Sequence, residues 1–172
     1  MVENSKGESA MPLTIRKAAI SDLPHILAIY GHARRFMAEN SNPSQWKNNY
    51  PQPSLLEADI RNGQLYAVLD NTRICGVFIF SIGDDPTYAS IEDGAWQSND
   101  AYGTIHRIAG DGTGGIFTAA VTYCRQLCPH LRLDTHQDNK PMQHLAQKHG
   151  FRRCGIIYTH DGTPRIAYEL LP

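Results

Sequence analysis

Residues 1–11 show neither alternation nor helical spacing of apolar positions, and their polar run predicts a disordered lead-in before a single domain over 12–172. From Leu13 the pattern sharpens. LTIRKA predicts a short strand, and Ser21 with Asp22 behind it predicts the start of a helix whose first turn tolerates Pro24. Leu23, Ile26, Leu27, Tyr30, Ala33 and Met37 then recur at helical spacing and form one packing stripe. The next segment, SNPSQWKNNYPQP, is rich in Pro and Asn yet carries Trp46 and Tyr50. That mixture predicts an ordered loop whose aromatics bury either against the core or against a ligand. Ser54 and Glu57 read as a capping box for a short second helix that ends at Gly63.

Two strand-like runs, QLYAVLD and ICGVFIFSI, flank a tight turn, and TYASIED and YGTIHRIA follow as further strands of an antiparallel meander. After a glycine cluster, Ile116, Phe117, Ala120, Val121, Cys124, Leu127 and Cys128 form the apolar stripe of another helix. LRLDTH predicts a strand. Asp138 or Asn139 caps a helix through KPMQHLAQKH that stops at Gly150, and FRRCGIIYT and PRIAYELL predict a closing hairpin around Asp161-Gly162. The predicted order is strand, two helices, about four strands, helix, strand, helix, hairpin, which is an α+β fold with locally parallel pairing in its later half.

Composition narrows the function classes. With 41% hydrophobic and 19% charged residues, the 172-residue chain has the make-up of an ordinary globular domain. Its formal net charge of -1 and scattered basic residues argue against nucleic acid. No apolar run reaches membrane-spanning length, and MVENSKGES lacks a signal-peptide stretch, so the expectation is a cytoplasmic protein without a membrane partner. Cys75, Cys124, Cys128 and Cys154 sit in apolar segments and read as buried hydrophobes. His136 and Asp138 lack a clear third ligand, so no metal site is expected.

The chemistry concentrates in IHRIAGDGTGGIF. Glycines at 110, 112, 114 and 115 let backbone amides approach an anion, and the helix that begins beside them presents unpaired N–H groups at the positive end of its dipole. The loop ends in GGIF rather than GK[ST], which disfavours an NTP-hydrolysing loop. It also lies too late in the chain for a dinucleotide fingerprint.

The succession HRIAGDGTGGI, LRLDTHQDNKPMQHLAQKHGF and CGIIYTHDGTPRIAYE resembles the GNAT superfamily of N-acetyltransferases, in its bacterial branch with HRIA, DTHxDNxxM and GFxxCGIIY signatures. The resemblance spans about residues 13–170. It implies a mostly antiparallel mixed sheet of about seven strands flanked by about four helices, with a V-shaped splay between the fourth and fifth core strands. It also implies acetyl-CoA as donor, with pantetheine beside Ile108 and Ala109, diphosphate on Gly112, Thr113, Gly114, Gly115, Ile116 and Phe117, and Asn139 as a further cofactor contact. The acceptor, a small-molecule or peptide amine, would lie beside Met37, Trp46 and Tyr50, in a monomer or a homodimer.

Two departures from the family pattern are visible. Gly114-Gly115 stand near its basic loop position and Phe117 at its small one. Ala146 stands where many members carry the tyrosine that protonates the departing thiolate. Glu92, at the end of an expected strand, is then the first choice for a general base, and His106, a residue type that ordinarily titrates near neutrality, is the second. Tyr158 or water is left as the acid. Structural alternatives remain for both bases: a solvated strand-end carboxylate for Glu92 and a backbone-bonded histidine for His106. The activity implied is direct acetyl transfer to a primary amine. The alternative is a non-catalytic CoA- or acyl-CoA-binding module of the same fold.

Overall fold

Thr14–Lys17 forms β1 of a computed structural model that describes residues 11–172, so the lead-in expected over 1–11 lies, apart from Met11, outside the described residues. A 3-10 turn at Ile20–Asp22 leads into α1, Leu23–Glu39. Ser21 does not cap it. Asp22 orders the entry instead, accepting the Ala19 N–H at 2.7 Å and pairing with Arg16 at 2.7 Å. Helix α1 buries Ile26, Tyr30 and Ala33 of the predicted stripe together with Ile29, while Leu23, Leu27 and Met37 of that stripe are half-buried.

Helix α2 is Pro53–Arg61. Its N-cap is Gln52 in extended conformation with no side-chain cap bond, so the Ser54–Glu57 capping box does not form. Pro53 explains the difference, because its ring fixes the first helical φ and places Ser54 two positions beyond the cap. Gly63, at φ 67°, does close the helix, donating its N–H to Ile60 O at 3.0 Å.

Leu65–Asp70 is β2, Arg73–Ile82 is β3 and Gly103–Gly110 is β4. The strand expected in TYASIED is replaced by a 3-10 turn at Pro86–Tyr88 and a lone bridge between Glu92 and Ile156. Asp85 supplies the local reason, since its carboxylate accepts the Thr87 N–H at 2.9 Å and caps the turn. The remaining elements are α3 (Ile116–Leu127), β5 (Leu131–Thr135), α4 (Lys140–Lys148), β6 (Arg152–Tyr158) and β7 (Pro164–Leu170). Asn139 caps α4 by accepting the Met142 N–H at 3.2 Å. Leu127, expected in the stripe of α3, is exposed at its last position.

The sheet runs β1-β2-β3-β4-β5-β7-β6 and is antiparallel except between β4 and β5. That one parallel pair is joined only at Gly103↔Leu131 and Thr104↔Arg132, after which the strands part. This is the V-shaped splay. β4 also carries a bulge: Val77 faces Ala109 and Ile79 faces His106, leaving Arg107 and Ile108 opposite Phe78 alone.

Both faces of the sheet are covered. Phe78 and Phe80 pack under α3 with Phe117, Val121 and Leu133, while Val77 and Ile79 pack under α1 and α2 with Ile26, Tyr30 and Leu56. The alternation of β3 side chains thus feeds two cores, and each fully buried large apolar side chain contributes about 1.5–3 kcal/mol. The four cysteines are free and buried. Among the described residues, no helix is long and apolar enough to cross a membrane.

Candidate active site

Where β4 and β5 part, the sheet opens into a cleft of about 730 Å³. Its walls are the loop after α1, the cleft-facing residues of β4 and β5, and the β6–β7 turn. Met37, Trp46 and Tyr50 all line it. Trp46 meets Tyr30 edge to face at 5.5 Å, and Tyr50 accepts a 3.1 Å hydrogen bond from Arg107 through its hydroxyl and a 3.2 Å bond from Arg34 through its carbonyl. The loop aromatics therefore anchor the loop to the core and also line the cleft.

The bulge in β4 decides what the cleft contains. Arg107 adopts φ 47°, a left-handed conformation uncommon for a side chain of this size. It is held there from three sides: its carbonyl accepts the Tyr30 hydroxyl at 2.8 Å, and its guanidinium bonds Tyr50 and forms an ion pair with Asp59. The irregularity turns His106 and Ile108 into the cleft lining together with Arg107.

His106 Nε2 lies 2.7 Å from Asp85 Oδ2, and its Nδ1 lies 3.8 Å from Asp134 Oδ1. Burial disfavours the charged form of Asp85, but hydrogen bonds from His106 and Thr87 outweigh that cost and hold its carboxyl far below the usual carboxylate range. With Asp85 ionised, Nε2 is the donor of this pair, and in a neutral imidazole Nδ1 then carries the lone pair. Asp134 is held by the Tyr88 hydroxyl, which donates to it at 2.7 Å. Burial, followed by the Asp134 charge, pushes the Tyr88 phenol well up, so it remains a donor.

Glu92 and Tyr158 are placed elsewhere. The Tyr158 hydroxyl donates to Glu92 Oε2 at 3.0 Å in an exposed pair, and neither residue lines the cleft. The cause is strand alternation: Ile157, across from Arg165, faces the cleft, and its neighbour Tyr158 points to the opposite face. The base expected at Glu92 therefore has no access to a substrate in this cleft, whereas His106 does.

A second groove of about 440 Å³ adjoins the first and shares Met37, Ile108, Asn139 and Met142 with it. Ala109, Gly112, Thr113, Gly114, Gly115, Ile116 and Phe117 line its floor, and Pro141, Met142 and Leu145 of α4 line its side. Gly112 and Gly115 stand at φ 99° and 85°, and a Cβ on Gly114 would meet nothing within 4 Å. The loop is thus open toward the groove. The first-turn amides of α3 have no helical carbonyl partner and face this space, which suits an anion at one end of an otherwise apolar channel. Phe117 is also part of the core, 5.0 Å from His149 and 6.2 Å from Phe151. Asn139 spans both grooves, its side-chain amide donating to Gln45 Oε1 at 2.9 Å. Ala146, by contrast, is fully buried in the core.

Three solved structures share this architecture. The chain is 28% identical to an acetyltransferase of the GNAT family from Streptococcus agalactiae 2603, with a TM-score of 0.84 over 93% of this chain and 95% of that one. The fold is the GNAT fold. A GNAT-family acetyltransferase from Listeria monocytogenes 4b F2365 superposes with a TM-score of 0.66 at 19% identity, covering 92% and 95% of the two chains. An N-acetyltransferase from Staphylococcus aureus Mu50 gives 0.58 at 21%, covering 93% and 98%. No family model matches the sequence, and no curated protein matches it. The charged cleft-lining residues that the sequence alone did not place in the site are Asp85, Asp134 and Arg165. Asp85 and Asp134 lie 21 and 28 positions from His106, in a turn and a strand whose approach depends on the whole sheet.

Proposed function

We propose that the protein is an acetyl-CoA-dependent N-acetyltransferase that acetylates a primary amine. The observation that carries this reading is the junction of the two grooves at the splay of β4 and β5, with the Asp85–His106 pair beside it. The HRIA, DTHQDN and GFRRCGIIY segments that resemble the GNAT signatures line or border this junction and support the same reading.

The groove fits such a donor: amides of Gly112–Phe117 match a diphosphate, and Met37, Ile108, Met142 and Leu145 match the chain of pantetheine. When bound, acetyl-CoA supplies the activated thioester carbonyl. His106 accepts the proton of the incoming ammonium or amine at Nδ1, and Asp85 stabilises the imidazolium that results. Asp134 adds negative potential at the same place. Backbone N–H groups at the bulge near Ile108 donate to the oxygen on which charge develops. The methyl side chain of Ala146 has no proton to give a leaving thiolate, so that proton comes from water. Gly114 and Gly115 supply no cation, and binding of the diphosphate rests on backbone amides.

Thermal shift with acetyl-CoA, ATP and NAD, followed by thiol release across an amine panel, tests the proposal. Stabilisation by acetyl-CoA alone, with amine-dependent release lost in His106→Ala, is expected. Stabilisation by ATP or NAD but not by acetyl-CoA overturns it. The second reading, a CoA-binding module without turnover, is favoured by the apolar Ala146 and by Phe117 at the loop. Acetyl-CoA binding with no release from any amine would support that reading.

A further inference from the structure

Arg165 is only 9% exposed, yet it lines the open cleft. Its guanidinium reaches two neutral acceptors, the carbonyls of Pro164 at 3.1 Å and of Gln45 at 3.4 Å. The fold treats buried Arg132 and half-buried Arg107 differently: Arg107 is paired with Asp59, and Arg132 with Glu169. Among the described residues no carboxylate forms an ion pair with Arg165. The two that act on it through space are already committed. Asp161 Oδ1 accepts from the hydroxyls of Thr159 and Thr163 and from the Thr163 N–H, and Asp134 accepts from Tyr88 beside His106.

A buried charge without a counter-charge is costly, and a guanidinium does not escape the cost by losing its proton. Its field is felt nearby: burial and then the Arg165 charge push the His136 imidazole below its ordinary range. Lys47 lines the same part of the cleft and adds to the positive side. Apart from the self-paired Arg107–Asp59 and the turn-bound Asp161, the cleft thus carries Asp85, His106 and Asp134 at one end and Arg165 at the other. The separation is short. Asp134 faces Ala167 across the β5–β7 ladder, and Arg165 lies two residues further along β7 on the same face, roughly 7 Å away along the strand.

We propose that the acceptor carries a carboxylate a few bonds from its primary amine, as an amino acid does. The carboxylate docks on the Arg165 guanidinium, while the amine sits at the Asp85–His106–Asp134 cluster. This rests on the acetyl-transfer reading above. A planar guanidinium presents parallel N–H donors that match the two oxygens of a carboxylate, and docking there supplies the counter-charge the fold withholds. An amine lacking the anion would leave Arg165 buried and unpaired.

Acetyl transfer to L-amino acids, each matched with its decarboxylated amine, tests the assignment by the ratio of the two kcat/KM values. In the wild type the ratio is expected to favour the carboxylate-bearing member of the preferred pair by on the order of 100-fold. Arg165→Gln is expected to collapse that ratio, and Arg165→Lys to restore part of it, a pattern that a purely structural role for Arg165 would not produce. A readout independent of turnover is the thermal shift given, in the presence of CoA, by N-acetyl-L-amino acids against the matching N-acetylamines. There the carboxylate is expected to increase the shift in the wild type and not in Arg165→Gln. A wild-type preference for the decarboxylated amines, or a carboxylate gain that survives Arg165→Gln in either assay, overturns the proposal while leaving acetyl transfer intact. Thiol release from no amine, together with the carboxylate-dependent shift, would instead count against catalysis and for the anion site.

Discussion

Arg107 holds a left-handed backbone that costs about 1–3 kcal/mol for a residue with a side chain, and three separate contacts from Tyr30, Tyr50 and Asp59 keep it there. The consequence falls on its neighbour, because the same bulge aims His106 at Asp85. His106→Gln is expected to lower kcat about 100- to 10,000-fold in a thiol-release assay with little change in the KM for acetyl-CoA. Glu92→Gln, outside the cleft, is expected to keep wild-type turnover, and a large loss there would return the base to Glu92. Further along the same face of β7, Glu169 accepts from His130 at 2.7 Å, Arg132 at 3.1 Å and the Gln97 N–H at 2.6 Å. Burial opposes its charge, yet these donors prevail and its carboxyl is held below the ordinary value. A carboxyl with a lowered folded pKa contributes stability above its unfolded pKa of about 4.3, and that contribution is lost as pH falls through the folded value. Urea midpoints should therefore drop as pH falls below about 4.3, and the drop should be shallower in Glu169→Gln, which itself costs about 3 kcal/mol at neutral pH.

At the scale of elements, the loop before α3 and the bridge beside β6 behave in opposite ways when a side chain is added. A Cβ on Gly114 meets nothing within 4 Å, so Gly114→Asp should leave the melting temperature nearly unchanged. Its carboxylate would repel a diphosphate on the α3 amides, and the KM for acetyl-CoA is expected to rise about 10-fold or more, since each tenfold corresponds to about 1.4 kcal/mol. Gly94 is the contrasting case. A Cβ there would sit 1.9 Å from Cys154 O at φ 151°, so Gly94→Ala is expected to destabilise by about 3 kcal/mol, measured by chemical denaturation. The stripe of α3 and part of that of α1 were legible from spacing because helix periodicity is local. The starts of α1 and α2 were not, since Asp22 and Pro53 act through a cross-loop ion pair and a ring constraint that outrank a serine hydroxyl. TYASIED has strand composition, but Asp85 curls its beginning and leaves one bridge.

For the molecule as a whole, the decisive feature is a parallel pair that stops after two residues. It creates the V from which both grooves open, and a ligand filling one of them should stabilise the entire fold. At about 100 times its dissociation constant a native-state ligand contributes about 2.7 kcal/mol. For a chain of this length that is a rise of roughly 5–10 °C in melting temperature. Acetyl-CoA is expected to give such a rise and NAD none.

The sequence by itself determined the order of elements apart from the strand expected in TYASIED, the glycine loop at a helix start and the candidates Met37, Trp46, Tyr50, Ile108 and Asn139 that line the grooves. All of these depend on local periodicity, on turn chemistry or on motifs contiguous in the chain. Only the tertiary structure decided which titratable groups meet. Asp85, His106 and Asp134 come from a turn and two strands, Glu92 is held outside the cleft by Tyr158, and among the described residues Arg165 meets no carboxylate in an ion pair. Charge pairing depends on distances of a few ångströms between segments far apart in the chain, and no local pattern encodes them.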